Sequence, residues 1–229
     1  DEEYLMFFEV LNRETDNGDI GYAVSKDGKQ WDYKSIIIDE DFHLSYPYVF
    51  EWENDYYLIP ESRRDFSVRL YKASSFPDEW EYMGNLLSGY GYVDPSIFRY
   101  NDKWWMFISN ARRNILNLYY SDDLLTGWVP HPMNPIVKHN AHTSSPGGRV
   151  FVDNDKLYRL TQDDEPTYGI QVFAFEITEL TESTYSEKIV SETPVVTKTG
   201  VGWNAAGMHH VDLIKVGNKW ISAVDGRDE

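Results

Sequence analysis

Acidic side chains recur at positions that a repeated β-hairpin would bring to one edge of a sheet. Asp94 opens an apolar segment, whereas Glu9, Glu61 and Asp225 each lie six residues after the start of an aromatic-rich segment. Adjacent antiparallel strands begin and end at the same edge, so these carboxylates converge. Glycoside hydrolysis needs one carboxylic acid to protonate the leaving oxygen and one carboxylate to activate water or attack carbon. Because crowding separates carboxylate pKa values, we predict that these four residues are catalytic.

The loops that join the hairpins contain side chains suited to holding a sugar. Loops at one end of a rigid β scaffold are common places for a binding site. The predicted substrate contacts are His43, Tyr46, Tyr92, Arg149, Trp203, His209 and His210. His209 and His210 alternate along a strand, so only one of them can face a central channel. A calcium ion held among channel carboxylates and waters is a further expectation, although no ligand loop of recognisable spacing supports it.

Several of these residues also have a purely structural interpretation. Asp94 precedes Pro95, and an Asp-Pro pair is common in turns. Glu61 could pair with Arg63 or Arg64 at the edge of the sheet. Arg149 could bridge neighbouring carboxylates and join two blades instead of binding a substrate. The sequence leaves these alternatives open.

The element that positions these residues is a hairpin of two short strands. Its pattern is clearest at residues 92–107. Its polar turn is repeated, and the second strands begin at Glu3, Asp55, Lys103, Lys156 and Lys219. A repeat of about fifty residues that contains only strand signals is typical of propeller blades.

We therefore predict an all-β, five-bladed β-propeller of four-stranded antiparallel blades, with residues 1–229 forming a single domain. The blades are expected at approximately 1–40, 46–87, 93–137, 149–196 and 208–229. The first and last blades are incomplete, because one lacks an inner strand and the other lacks outer strands. Missing chain is therefore expected at both termini.

Composition excludes several classes of partner. The formal net charge is −17, so no basic surplus exists to displace counterions from a nucleic acid. No apolar run approaches the length of a membrane-spanning helix, so membrane insertion is not expected. The sequence has no cysteine, which excludes a thiolate nucleophile and leaves the redox compartment and localisation undetermined.

Several motifs resemble known propeller families. The 94–98 segment, the aromatic hairpin and the turn at 25–31 resemble the furanosidase-type five-bladed propellers of glycoside hydrolase families 43, 32 and 62. The segments at 42–50, 92–98, 146–150 and 202–212 are more similar to the N-terminal propeller domain of the glucosamine inositolphosphorylceramide transferases and its bacterial relatives. This second resemblance covers nearly the whole chain.

The glycosidase resemblance implies an aspartate base in the first blade, an aspartate that modulates pKa in a middle blade, and a glutamate acid. Asp94 matches the modulator, whereas the base would lie before residue 1. The acid is expected near the start of the fourth blade, but residues 144–149 contain no carboxylate. Glu61 is therefore the substitute candidate for the acid, on the basis of its position alone.

Three functions remain open at this stage. The first is a family 43-like glycosidase that requires no cofactor. The second is a non-catalytic glycan-binding or positioning module, fused to or acting beside a glycosyltransferase or another glycan-modifying enzyme. The third is a protein-interaction propeller without a small-molecule site. A pair of carboxyl groups across a pocket favours the first, and aromatic stacking surfaces without such a pair favour the second.

Overall fold

The computed structural model describes residues 3–228 and consists of antiparallel β-sheets with two short 3₁₀ helices. The chain divides into two compact units, Asp1–Pro95 and Ser96–Glu229. Residues 1, 2 and 229, which the predicted single domain includes, lie outside the described part. No helix within residues 3–228 is long and apolar enough to cross a membrane.

The first unit contains two sheets whose strands follow one another in chain order. The three-stranded sheet contains β1 (Tyr4–Asn12), β2 (Asn17–Ser25) and β3 (Asp32–Ile38). The four-stranded sheet contains β4 (Ser45–Trp52), β5 (Asp55–Glu61), β6 (Ser67–Ser75) and β7 (Glu79–Ser88), with a 3₁₀ helix at Arg63–Asp65. Their shared core contains Ile20, Ile38, Leu44, Leu58 and Tyr71, so the apolar faces of both sheets are buried in this unit.

The second unit contains two larger sheets and a hairpin. The five-stranded sheet contains β8 (Tyr92–Tyr100, whose first residues belong to the first unit), β9 (Lys103–Asn110), β10 (Ile115–Ser121), β11 (Val129–Pro130) and β12 (Val137–Lys138). The six-stranded sheet contains β13 (Ser145–Pro146), β14 (Phe151–Asp153), β15 (Lys156–Asp163), β16 (Gln171–Leu180), β17 (Tyr185–Ile189) and β18 (Val196–Thr197). A 3₁₀ helix at Gly202–Asn204 precedes the hairpin of β19 (Val211–Val216) and β20 (Lys219–Val224).

The predicted number of five blades, with the first and last incomplete, is not confirmed. The described residues form four sheets of three to six strands, which have the size of blades, and one hairpin of only two strands. The expectation of four strands per blade also fails for the five-stranded and six-stranded sheets. The reason is that β11, β12, β13 and β18 are two-residue strands that pair beside longer ones, so the edges are built from short pieces.

The hairpin turns follow from the residue types at their centres. Three hairpins close through two-residue turns in which both central residues have positive φ: Glu53-Asn54, Asn101-Asp102 and Asn154-Asp155. This is the type I′ geometry, which matches the twist of the flanking strands and favours Asn and Asp. The turn chemistry therefore sets the register that carries Glu61 to the far end of β5.

The starts of two inner strands are strained. Ser45 pairs with Glu61 and Tyr48 pairs with Ile59, so three steps of β4 oppose two steps of β5 and a β-bulge results. Tyr46 in this bulge has φ 46°, and Asp94 near the start of β8 has φ 52°. Left-handed backbone is unusual for residues other than glycine and is frequent at functional sites.

Candidate functional site

In the first unit, Glu61 and Asp94 lie against each other. Glu61 is 6% exposed and Asp94 is 3% exposed. The backbone N–H of Asp94 donates to Glu61 Oε2 across 3.3 Å. The end of β5 and the strained start of β8 thus bring two predicted catalytic residues together in a buried position, where carboxylate chemistry is sensitive to its surroundings.

A second pair of side chains in the first unit consists of the Glu9 carboxylate and the His43 imidazole. The His43 Nε2 atom lies 3.7 Å from Glu9 Oε1, and both side chains are partly exposed. The backbone N–H of Gly18 donates to His43 Nδ1 at 2.8 Å. Burial lowers the pKa of His43, and the positive charges of Arg64 and Arg63 lower it further. His43 is therefore held as a neutral imidazole beside a carboxylate.

The two predicted tyrosine contacts of this unit differ in exposure. Tyr46 is half-buried within the bulge of β4, whereas Tyr92 is 8% exposed. The ring of Tyr90 packs edge-on against Tyr92, with 5.9 Å between centroids, and is itself 72% exposed. Tyr90 therefore offers the accessible ring at this loop, and Tyr92 supports it from below.

In the second unit, Arg149 forms an ion pair with Asp212. Its Nε and Nη2 atoms donate to the two carboxylate oxygens of Asp212, the second of these bonds measuring 2.8 Å. Gly148 lets its segment approach the segment around Val211, because a Cβ on Gly148 would lie 1.9 Å from the Val211 carbonyl oxygen. The alternative in which Arg149 joins neighbouring strands therefore describes this contact, and its guanidinium is already engaged.

Asp225 organises the two histidines that precede β19. The backbone N–H groups of His209 and His210 both donate to Asp225 Oδ1, and the His209 ring pairs with the other oxygen. Burial opposes ionisation of this carboxyl group, but the hydrogen bonds and charge of His209 prevail and lower the pKa of Asp225. Asp225 is thus an ionised residue that positions His209, in contrast to the proton donor that a glycosidase acid must be.

Around His209 lies a cluster of loop side chains that we call the ring cluster, comprising Arg113, Tyr168, Trp203 and His209. The centroids of Tyr168 and His209 are 4.8 Å apart, and the Arg113 guanidinium lies 4.9 Å from the Tyr168 centroid. Trp203 is 59% exposed and packs on Gly226, next to Asp225, because a Cβ on that glycine would lie 2.2 Å from the indole. Tyr168 is 41% exposed, so the cluster presents accessible rings.

The sequence predicts Trp203 and His209 as substrate contacts but does not predict their neighbours Tyr168 and Arg113. A tyrosine in the Pro166–Gly169 turn was a usable signal, because large rings on loop tips often mark binding sites. A second histidine pair was also missed, in which His142 Nδ1 lies 2.9 Å from Asp163 Oδ1 and the imidazole is exposed. Nothing in the sequence places His142 beside Asp163.

The expectation of a calcium ion finds no ligand set in the described part of the chain. Within residues 3–228, no group of three or more histidine, aspartate or glutamate side chains could hold a metal ion. The carboxylates described above instead meet histidine rings, an arginine and backbone N–H groups. The contacts that this arrangement shows are hydrogen bonds, ion pairs and ring packing.

Comparison with known proteins connects these features to a family. Residues 1–227 match the family model described as "Glucosamine inositolphosphorylceramide transferase 1, N-terminal". The chain is 36% identical over 232 residues to glucosamine inositolphosphorylceramide transferase 1 of Oryza sativa subsp. japonica. That match covers 97% of this chain but only 31% of the rice protein, so the chain spans about a third of its relative.

Solved structures establish the fold class. An α-L-arabinofuranosidase from Podospora anserina, solved with cellotriose, matches with a TM-score of 0.74 and 11% identity, covering 99% of this chain and 81% of the enzyme. The β-1,2-mannobiose phosphorylase of Listeria innocua matches with a TM-score of 0.71 and 15% identity, covering 92% and 64%. These likenesses confirm an all-β propeller of antiparallel sheets. The family model matches nearly the whole length of this chain. The chain therefore belongs to the family of the N-terminal domain of glucosamine inositolphosphorylceramide transferase 1.

Proposed function

We propose that this chain is a glycan-binding domain that positions a sugar for a glycosyltransferase. The observation that carries this proposal is the ring cluster, in which the accessible Tyr168 packs on the oriented imidazole of His209 and the accessible Trp203 packs on Gly226, next to Asp225. Sugars are bound through flat ring faces for their apolar C–H surfaces and through a few fixed polar groups for their hydroxyls. The cluster offers both kinds of contact.

The electrostatics of the second unit favour binding over hydrolysis. Asp225 is ionised and engaged with His209, and Arg149 is engaged with Asp212. The segment 144–149, where the glycosidase resemblance calls for an acid, contains no carboxylate. A general acid must retain a proton near the working pH, which the ionised Asp225 does not. Asp225, Arg149 and Asp212 are instead suited to holding their neighbours in place.

The association with a transferase rests on the relatives. The rice protein that this chain resembles is named as a glucosamine inositolphosphorylceramide transferase, and the matched region is about a third of it. A separate binding domain raises the effective concentration of a glycan near a linked catalytic domain. The proposed role is therefore to bind the acceptor or product glycan, with catalysis supplied by the remainder of the full-length protein.

A glycan-binding experiment tests this role. The purified chain is screened on an array that includes glucosamine, N-acetylglucosamine and cellotriose, and each hit is then measured by calorimetry. Trp203→Ala should weaken binding by about tenfold or more, because aromatic anchors carry much of the binding free energy. Trp220→Ala is the matched control, since Trp220 is also partly exposed and packs on Phe151 in the same unit. Equal affinity of wild type and Trp203→Ala would reject the ring cluster as the binding surface.

The second candidate function is glycoside hydrolysis in the first unit. It is favoured by the contact between two buried acidic residues, Glu61 at the end of β5 and Asp94 at the strained start of β8. In this scheme Glu61 is the proton donor and Asp94 modulates its pKa, with Glu9 as the further carboxylate of the same unit.

Turnover measurements separate this candidate from the first. Released sugar is assayed with every glycan that binds, for wild type and for Glu61→Gln. Hydrolysis at this site predicts release by wild type and loss of turnover in the variant, with ligand affinity largely retained. Binding without release by the wild-type chain would reject hydrolysis and leave the binding role.

A further inference from the structure

His142 presents one ring nitrogen to solvent while a buried carboxylate holds the other. Its Nδ1 lies 2.9 Å from Asp163 Oδ1, and the side chains of Asp163 and His142 are 4% and 60% exposed. The same carboxylate accepts the Gln171 side-chain amide at 2.8 Å and the Glu165 backbone N–H at 3.1 Å. Because these partners are donors, the carboxylate acts as an acceptor towards the imidazole as well. In the neutral ring, the hydrogen therefore lies on Nδ1.

This tautomer leaves an open acceptor on the opposite side of the ring. Among residues 3–228, no group pairs with the Nε2 atom of His142, and the ring is exposed. A neutral imidazole with its hydrogen on Nδ1 has a lone pair on Nε2, which accepts a hydrogen bond and cannot donate one. The buried Asp163 thus turns a side chain that could do either into an acceptor of fixed character.

The loop that carries His142 is anchored by the residues immediately before and after it. The Ala141 carbonyl accepts the Asp164 backbone N–H at 3.1 Å. The Thr143 carbonyl accepts Nη2 of the buried Arg159, also at 3.1 Å. The imidazole therefore keeps its position without a ligand, and a ligand that binds it does not have to order the loop.

This loop borders the ring cluster at two points. The Ser144 hydroxyl, two positions after the histidine, donates to the Arg113 carbonyl at 2.7 Å. Asp164, which follows the carboxylate that holds the imidazole, accepts the Gly169 backbone N–H through Oδ1 at 3.0 Å. Gly169 in turn follows Tyr168 directly. The open nitrogen and the accessible tyrosine ring therefore belong to one group of joined loops in the second unit.

We propose that His142, positioned by Asp163, is a subsite that accepts a hydrogen from a hydroxyl or amino group of a glycan. The inference rests on the proposed glycan-binding function and adds a specificity element to it. The ring cluster provides flat surfaces for the C–H faces of a sugar, and the Nε2 lone pair provides a directed polar contact. A ligand that carries only ether oxygens is not recognised here, because the nitrogen has no hydrogen to give to them.

The first experiment examines the imidazole in the unliganded protein. Long-range ¹H–¹⁵N spectra of the full chain at about pH 8.5, where imidazoles are neutral, report which nitrogen carries the hydrogen. His142 is expected to carry it on Nδ1 only. His139, an exposed histidine of the same loop without a partner among residues 3–228, should show both tautomers. Asp163→Asn should bring His142 to that mixed pattern. A hydrogen on Nε2 of His142 in the wild type would overturn the proposal, whether or not the variant folds.

The second experiment adds ligands under the same conditions. Glucose and glucosamine are titrated separately, and tetrahydropyran serves as the ring without a donor. The ¹⁵N signal of His142 Nε2 should move with glucosamine and stay unchanged with tetrahydropyran. Movement with glucose as well would identify a hydroxyl group as the donor, and movement with glucosamine alone would identify the amino group. An equal response to tetrahydropyran would overturn the proposal.

Binding by variants separates this subsite from the ring cluster. His142→Ala should weaken the binding of the same sugar about three- to tenfold, the range of one neutral hydrogen bond, and His139→Ala should leave it unchanged. Loss in Trp203→Ala, with affinity retained within twofold in His142→Ala, would overturn the subsite and leave the ring cluster. Loss in His142→Ala alone would support the subsite and reject the ring cluster. Loss in both would support both, and a wild-type chain that binds neither sugar would reject both.

Discussion

Two arginine–carboxylate pairs in the second unit have the same chemistry but different surroundings. Arg159 is 2% exposed and binds Glu187 through Nε and Nη2. Arg149 is 23% exposed and binds Asp212, which is 30% exposed, through the same two nitrogens. The first pair is enclosed by the sheet, with its guanidinium 4.7 Å from the Phe175 ring, whereas the second lies between strand starts. Only the second retains access to solvent and to a ligand.

The difference shows where an ion pair contributes to folding and where it is available for function. A buried charge that loses its partner is costly, because nothing replaces the lost hydrogen bonds. A half-exposed charge that loses its partner is rehydrated. Arg159 is therefore needed for the stability of its unit. Arg149 lies at a junction between strand starts, and it can be substituted without unfolding the protein.

The largest expected effect is at Arg159. Arg159→Met leaves Glu187 as a buried carboxylate without its guanidinium, and the free energy of unfolding should fall by about 3–5 kcal/mol. Urea denaturation followed by intrinsic fluorescence measures the change. Lys156→Met is the control, because Lys156 pairs with Glu176 while 52% exposed. A loss below about 1 kcal/mol in Arg159→Met would contradict the assignment, since that is the range of surface ion pairs.

An intermediate effect is expected in the pH dependence of stability. Burial opposes ionisation of Glu187, but Arg159 prevails and lowers the pKa of Glu187 below its ordinary 4.5. A carboxyl group whose pKa is lower in the folded state stabilises the fold above its unfolded pKa. This stabilisation is lost as the pH falls from 4.5 through the lower folded value.

Thermal unfolding midpoints of wild type and Arg159→Met, measured from pH 7 to pH 3, test this sign. The wild type should lose the Glu187 contribution only below pH 4.5. In the variant, burial raises the pKa of Glu187 and only the hydrogen bond from the Tyr185 hydroxyl opposes it, so the gap between the two proteins should narrow as the pH falls. A gap that is constant across this range would show that the two side chains are not electrostatically coupled.

These two pairs also mark the limit of the sequence prediction. The apolar strands, the type I′ turns at Asn101-Asp102 and Asn154-Asp155, and the antiparallel class follow from local residue preferences. Partners across distant segments do not. Arg149 was noticed because it follows two glycines, whereas Arg159 lies in an ordinary strand pattern. Neither Asp212 nor Glu187 has a local signal that identifies its arginine.

The same limit applies to the candidate site, where some contacts could be predicted from the sequence and others could not. Glu61 and Asp94 could be placed near each other from the hairpin repeat, because Glu61 ends a second strand and Asp94 lies near the start of an inner strand. Tyr168 and Arg113 could not, because two irregular loops bring them to His209 and loop paths have no repeating pattern. The predicted number of five blades is not confirmed, since the last repeat forms only the hairpin β19–β20 in the described residues.

The smallest expected effect is at Arg149, and it decides between the two interpretations of that residue. Arg149→Met should lower the free energy of unfolding by about 1 kcal/mol, because Asp212 stays partly exposed and is rehydrated. If Arg149 only joins strand starts, glycan affinity should be unchanged within twofold once the variant is shown to be folded. If it is a substrate contact, affinity should fall by about tenfold or more, as for other charged hydrogen bonds.

Asp212→Asn separates the cases further, since it weakens the same junction while leaving the guanidinium in place. Loss of affinity in Arg149→Met with retention in Asp212→Asn would assign Arg149 to the ligand, whereas retention in both would assign it to the junction.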